Sequence, residues 1–123
     1  MQIISMQKNS INKVILVGHL GAKPEGRYTS SGKPVTSFSL ATNESWSQNG
    51  EQINKTEWHN VVAWERLADF AQEYLHKGQL VCIEGKLTSR TWQDKENRTV
   101  KVTEILCSSI TPLEWKSSDA SKK

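Results

Sequence analysis

Tryptophan is the unusual residue of this chain. Trp46, Trp58, Trp64, Trp92 and Trp115 outnumber the two Phe and two Tyr, although a small core is more readily filled with Phe, because a buried indole N–H needs a partner. Some of these rings are therefore expected to face water. Lys86 and Arg90 stand in one alternating row with Thr88 and Trp92, and Lys13, Lys55, Arg66 and Lys77 lie in or beside the segments that carry the other rings. Flat platforms interleaved with cations suit a flexible polymer of unpaired bases joined by phosphates. Each stacked base contributes roughly 1–3 kcal/mol, so Trp46, Trp58, Trp64 and Trp92 together would contribute about 4–12 kcal/mol before non-additivity is discounted. Beside that, the net charge of +3 is thin. Stacking is the dominant expected term, and phosphate contacts are expected from a local patch.

Other chemistries find less support. No nucleophile–base pair, phosphate-cradling glycine loop or metal-ligand spacing is present. Glu57 and His59 are set aside as an acid–base pair because they are read as pointing to opposite strand faces. Cys82 and Cys107 have no CxxC spacing and no paired histidines, and read as small buried hydrophobes of a reducing compartment. No catalysis, metal or cofactor is expected.

The elements that must position these residues read as strands interrupted by one helix. KVILVGHL (13–20) is a short apolar run suited to a strand buried on both faces. Gly21, Pro24 and Gly26 then punctuate the chain, and VTSFSLAT (35–42) alternates, with Phe38 and Leu40 on one face. SWSQNGEQIN (45–54) is polar. Despite its Asn49-Gly50 hairpin signal, its length predicts a long mobile connection with Trp46 at its base. In KTEWHNVVAW (55–64), period 2 puts Trp58, Asn60, Val62 and Trp64 on one side and Glu57, His59, Val61 and Ala63 on the other.

From Leu67 the period changes. Leu67, Phe70, Ala71, Tyr74 and Leu75 form an amphipathic helical stripe, closed by Lys77-Gly78. QLVCIEGKLTSRTW (79–92) is a long strand, with Val81, Ile83, Gly85 and Leu87 facing a core and Lys86, Thr88, Arg90 and Trp92 facing away. After the turn at 94–97, RTVKVTEILCSSI (98–110) is a fifth strand whose phase slips after Glu104, as a bulge would cause. Five strands with one helix between the third and fourth give an all-β architecture, the element order of the OB-fold, a five-stranded Greek-key barrel that binds oligonucleotides or oligosaccharides.

The 123 residues divide into a flexible N-terminal segment (1–10), one barrel domain (11–113) and a short polar tail (114–123). The longest apolar stretch, Val14 to Val17, is far below the roughly 20 residues of a membrane-spanning helix. The first ten residues hold only Lys8 as a charge and too short an apolar run for a secretory signal, and one Lys with no Arg argues against a mitochondrial presequence. A cytoplasmic, nucleoid-associated location is expected ahead of a mitochondrial one.

INKVILVGHLGAKPEGRYTSSGKPVTSFSLATNESW, TEWHNVVAW, LADFAQEYLHKG and LVCIEGKLTSRTWQD resemble the bacterial-type single-stranded DNA-binding proteins, which also serve mitochondria, continuously from about Ile11 to Leu113. The resemblance implies a non-catalytic OB-fold homotetramer that wraps single strands during replication, recombination and repair. It also implies stacking roles for Trp46, Trp58 and Trp92, and for Trp64 where many members carry a stacking Phe. Lys13, Arg66, Lys77 and Arg90 match commonly basic positions, whereas Asn60 falls where an Arg is often found. His59 and the first strand match the family's subunit contact region. Members often continue into a long linker and an acidic tail that recruits enzymes. This sequence ends in SSDASKK, so such recruitment is not expected.

Each residue also has a plainer reading. The strand face holding Val62 suits a core, Trp92 at an arm's end suits packing on a neighbouring subunit, and Lys86 and Arg90 suit an ordinary solvated face. Trp115 reads as a tail anchor. RNA is an allowed second ligand, because stacking does not sense the 2′-OH. A domain that binds chiefly proteins, with weak nucleic-acid contact, is the competing function.

Overall fold

Strand 14–20 must satisfy two neighbours, and that requirement closes the fold. The structure, a computed structural model, describes residues 8–114. Most of the N-terminal segment, Trp115 and the polar tail lie outside the described residues. Six strands and one helix follow in order: β1 (Val14–Leu20), β2 (Glu25–Tyr28), β3 (Pro34–Gln48), β4 (Glu51–Trp64), α1 (Arg66–Tyr74), β5 (Leu80–Gln93) and β6 (Thr99–Pro112). The sheet runs β1-β5-β6-β4-β3-β2, and β1 also pairs with β3. Five strands thus form a closed ring with the helix between its third and fourth members, the OB-fold arrangement.

The added strand β2 hangs on the outside of β3, from Glu25↔Ser37 to Tyr28↔Pro34. Its four residues are all exposed, so no alternation betrays it in the sequence. The predicted long connection at 45–54 is instead a continuation of β3 and β4. Their pairing is unbroken from Val35↔Trp64 to Gln48↔Glu51, and Asn49 and Gly50 turn the chain with φ of 52° and 80°, the left-handed pair of a two-residue hairpin turn. The ribbon projects beyond the barrel with both faces wet, which removes the apolar alternation expected of a strand.

Inside the ring, Leu20, Phe38, Leu40, Val61, Ala63, Val81, Ile83 and Ile105 form the core with Ala71 and Leu75 from the helical segment. Ala68 and Ala71 are the buried helix residues, small enough for Thr36 Oγ1 to donate to the Ala68 carbonyl at 2.9 Å. The expected stripe holds only in part: Leu67 and Phe70 are half-buried and Tyr74 is exposed. The helix stops at an extended Leu75, so Gly78 is not its cap. Gly78 belongs to the following turn, where its N–H donates to the Leu20 carbonyl at 2.8 Å.

Strand β1 is not buried on both faces. Ile15 and Val17 are 58% and 51% exposed, because the barrel covers only the alternate residues. On β5, Val81 and Ile83 are buried as expected, while Leu87 emerges. Its backbone N–H and carbonyl are held by the Asn12 side chain, each at 2.9 Å. The bulge lies at Ser108, between the pairings Glu84↔Ser109 and Gly85↔Cys107, a few residues later than the phase slip suggests. Both cysteines are free, and burial pushes the Cys107 thiol up to about 11, so it stays protonated at neutral pH and is a poor nucleophile. Among the described residues, no helix is long and apolar enough to cross a membrane.

Candidate nucleic-acid interface

The pleat of β4 decides which way its tryptophans point. Val61 and Ala63 are fully buried in the core, so Trp58, Asn60 and Trp64 face the other way, together with Val62, which is itself buried at 8% exposure. Directly paired residues share a face, which adds Ser39 and Ser37 of β3, opposite Asn60 and Val62. Parallel pairing of Val62 with Leu106 brings in β6. Across β6, the pairs Lys86↔Leu106, Thr88↔Glu104, Arg90↔Val102 and Trp92↔Val100 carry the same outward face onto β5.

Two adjoining depressions line this surface. One, of about 400 Å³, includes Lys23, Glu25, Ser39, Asn60, Arg90 and Glu104. The other, of about 350 Å³, includes Arg27, Trp64, Thr88, Arg90 and Glu104. They share Val62, Arg90 and Glu104, and so form one channel.

Trp46, Trp58, Trp64 and Trp92 are 43%, 59%, 41% and 44% exposed; none is sealed in the barrel. Six residues of extended strand separate Trp58 from Trp64 by about 20 Å, too far for both to grip one base. Trp58 has a built seat. A Cβ added at Gly21 would lie 2.4 Å from Trp58 Cζ3, so the indole rests against bare backbone with its remaining surface open. Gly21→Ala is expected to lift this ring and weaken stacking on it by about 1 kcal/mol while leaving the fold intact, since a side chain rather than backbone gives way. Fluorescence titration with a single-stranded oligonucleotide, beside a thermal melt, checks this.

The structure separates the remaining predicted residues. Trp46 pairs with Ile53 on the projecting arm, and its position in the pleat puts it on the ribbon face opposite Trp58 and Trp64. It is an arm residue, not the base of a loop. Arg90 lies in the channel and is engaged twice: its Nε donates to Glu104 Oε1 at 3.1 Å, and its guanidinium lies 5.2 Å from the centre of the Trp92 ring. Lys13 sits 3.8 Å from Glu84 and shares a separate depression with Lys86. Lys55 pairs with Glu57 at 3.0 Å; the hydrogen bond between them, reinforced by their opposite charges, raises the lysine pKa and lowers that of the carboxylate. Arg66 opens α1 and Lys77 lies in the turn beyond it, both exposed; neither lines the channel.

Glu57 and His59 share a strand face because they are two residues apart, as the period of this strand gives and contrary to their dismissal as residues on opposite faces. They are nevertheless engaged separately. His59 Nε2 lies 3.0 Å from Thr42 Oγ1, while Glu57 holds Lys55. Among the described residues, no cluster of three or more His, Cys, Asp or Glu is placed to hold a metal ion. Sequence reasoning missed Lys23 and Arg27, which line the channel; Arg27 Nη1 donates to Ser37 Oγ at 3.3 Å. Arg27 sits in a four-residue strand whose residues are all exposed, and Lys23 precedes that strand among turn residues, so neither carries a sequence signal.

A five-stranded barrel of this connectivity, with exposed indoles along a polar channel, defines an OB-fold module of the oligonucleotide-binding type. Residues 11–113 match the single-strand binding protein family, and the chain belongs to it. It is 46% identical over 110 residues to single-stranded DNA-binding protein 1 of Chlorobaculum tepidum, a match covering 88% of this chain and 68% of that protein. A single-stranded DNA-binding protein of Neisseria meningitidis is 49% identical over 88 residues, covering 71% of this chain and 51% of the relative; the match thus spans only about half of that protein's length. The fold is similar to that of the Plasmodium falciparum SSB in complex with single-stranded DNA, with a TM-score of 0.77 and 34% identity over 89% of this chain and all of the other.

Proposed function

We propose that this chain binds single-stranded DNA without strong sequence preference and protects it during replication, recombination and repair. One observation carries the reading: three indoles on the outward barrel face, Trp58, Trp64 and Trp92, and a fourth on the arm, Trp46, stand 41–59% exposed. Bases stack on Trp64 in the channel, on Trp58 farther along the same strand face, on Trp92 beside the channel and on Trp46 across the arm. Every base has a π-face, so such platforms are sequence-tolerant. Arg90, with Lys23 and Arg27, takes phosphate inside the channel, and Lys13, Lys55, Arg66, Lys77 and Lys86 meet the backbone as it runs over the outside. Channel cations are partly balanced by Glu25 and Glu104, so stacking outweighs charge and affinity survives moderate salt.

The protein acts as a homotetramer with His59 and β1 in its subunit contacts. The exposed Ile15 and Val17 supply apolar surface for that contact, and a tetramer multiplies the charge met by one strand.

Adding oligo-dT is expected to quench tryptophan emission strongly and saturably, with a weaker response to duplex of the same length. Unchanged emission at concentrations where a labelled strand would be saturated overturns the reading. Light scattering of the free protein reports the subunit count.

A further inference from the structure

Base stacking gives no reason for a carboxylate in the channel, yet Glu104 lines both of its depressions. Its side chain is 12% exposed, against 59% for its partner Arg90. The carboxylate, on a shorter stem and largely covered, is therefore the more fixed member of the pair, and the guanidinium on its long stem is the movable one. Glu104 faces Thr88 and Arg90 faces Val102, which makes the two charges diagonal neighbours on one sheet face. Held through Nε by Glu104, the guanidinium is kept over the Trp92 ring, where cation–π attraction adds to its retention.

We propose that Glu104 is a positioning residue that governs how this channel takes up a phosphate backbone. In the unbound protein it neutralises Arg90 and holds the guanidinium against Trp92. An incoming phosphate engages Arg90 only in competition with that carboxylate. Arg90 thus counts for less than a free cation at the same place, and the channel relies more on stacking. The inference rests on the single-stranded DNA reading above.

Glu104→Gln keeps the side chain's shape and an acceptor oxygen for Arg90 while removing the competing charge. Titrations of the full chain with oligo-dT across a series of NaCl concentrations read the effect. Glu104→Gln is expected to bind about threefold or more tighter, because a like charge leaves the phosphate path. The plot of log affinity against log salt is expected to steepen by about 0.7, the value for one further single-strand phosphate contact. Arg90→Gln is expected to lower the slope in the parent by well under about 0.7, the value of a full phosphate contact, and to abolish the gain in the Glu104→Gln background.

Unchanged or weaker binding by Glu104→Gln at the parent slope overturns the proposal. Should Glu104→Gln not fold, Arg90→Gln in the parent decides alone: a slope loss well below about 0.7 supports competition, and the full loss overturns it. A parent that fails to bind oligo-dT at any salt overturns the single-strand reading itself, whereas a binding parent with an indifferent Glu104→Gln overturns only this inference.

Discussion

Replacing Trp58 and Trp64 together with alanine is expected to lower affinity for oligo-dT by at least about thirtyfold, and by a thousandfold or more if both platforms are fully used. Each stacked base contributes roughly 1–3 kcal/mol by alanine substitution, so the pair contributes about 2–6 kcal/mol. The two rings stand about 20 Å apart along β4 and line different parts of the surface, so their effects add. Phenylalanine at both positions keeps a flat platform and is expected to restore most of the affinity. That rescue separates stacking from a general disturbance of the strand. Both side chains point away from the core, and the buried Val61 and Ala63 between them are untouched, so the alanine variants are expected to fold. Fluorescence anisotropy of a labelled oligonucleotide gives the affinity, and circular dichroism the fold. A loss below about threefold in the double variant would remove these indoles from the binding surface.

The part of this interface legible in the sequence is the part carried on one strand. Period 2 alone places Trp58 with Trp64 and sets Val61 and Ala63 against them, and the core agrees. Relations between strands need a register that the sequence does not display. Arg90 and Glu104 are fourteen residues apart and meet only because β5 and β6 pair as they do; from the sequence, Arg90 is simply a free cation. Trp46 illustrates the same limit, since its face depends on pairing that runs unbroken through the Asn49-Gly50 turn.

A different failure affects β1. An apolar run reads as doubly buried whether its second face meets the same barrel or is left outside it, and Ile15 and Val17 are left outside. Strand β2 fails for the opposite reason: four exposed residues on a sheet edge carry no burial signal. The barrel was therefore legible where hydrophobic burial dictates residue type, and illegible where backbone pairing alone dictates position.

The closure of that barrel rests on Gly18, and Gly18→Ala is expected to lower stability by about 3 kcal/mol, at the upper end of the cost of overpacking. Strand β1 pairs with β5 from Val14 to His19 and turns onto β3 at His19↔Ala41 and Leu20↔Leu40. To reach both neighbours it must pass close over β3. A Cβ at position 18 would lie 2.2 Å from the Ala41 carbonyl oxygen and 3.3 Å from Leu40 Cγ. The clash is with backbone, and that backbone is fixed on its other side by pairing with Trp58. No rotamer change relieves it, so the seam between β1 and β3 has to open, exposing Leu20 and Leu40 from the core. For a domain of about 100 residues, each kcal/mol lowers Tm by about 4–8 °C, so a drop of about 12–24 °C is expected. The same movement reaches the DNA surface, because β1 leads directly into Gly21, the seat of Trp58. The folded protein at low temperature is therefore expected to lose affinity for oligo-dT as well, by a few-fold rather than completely. A melt within two or three degrees of the parent would mean that the seam relaxes without parting, and the closure would then not rest on Gly18.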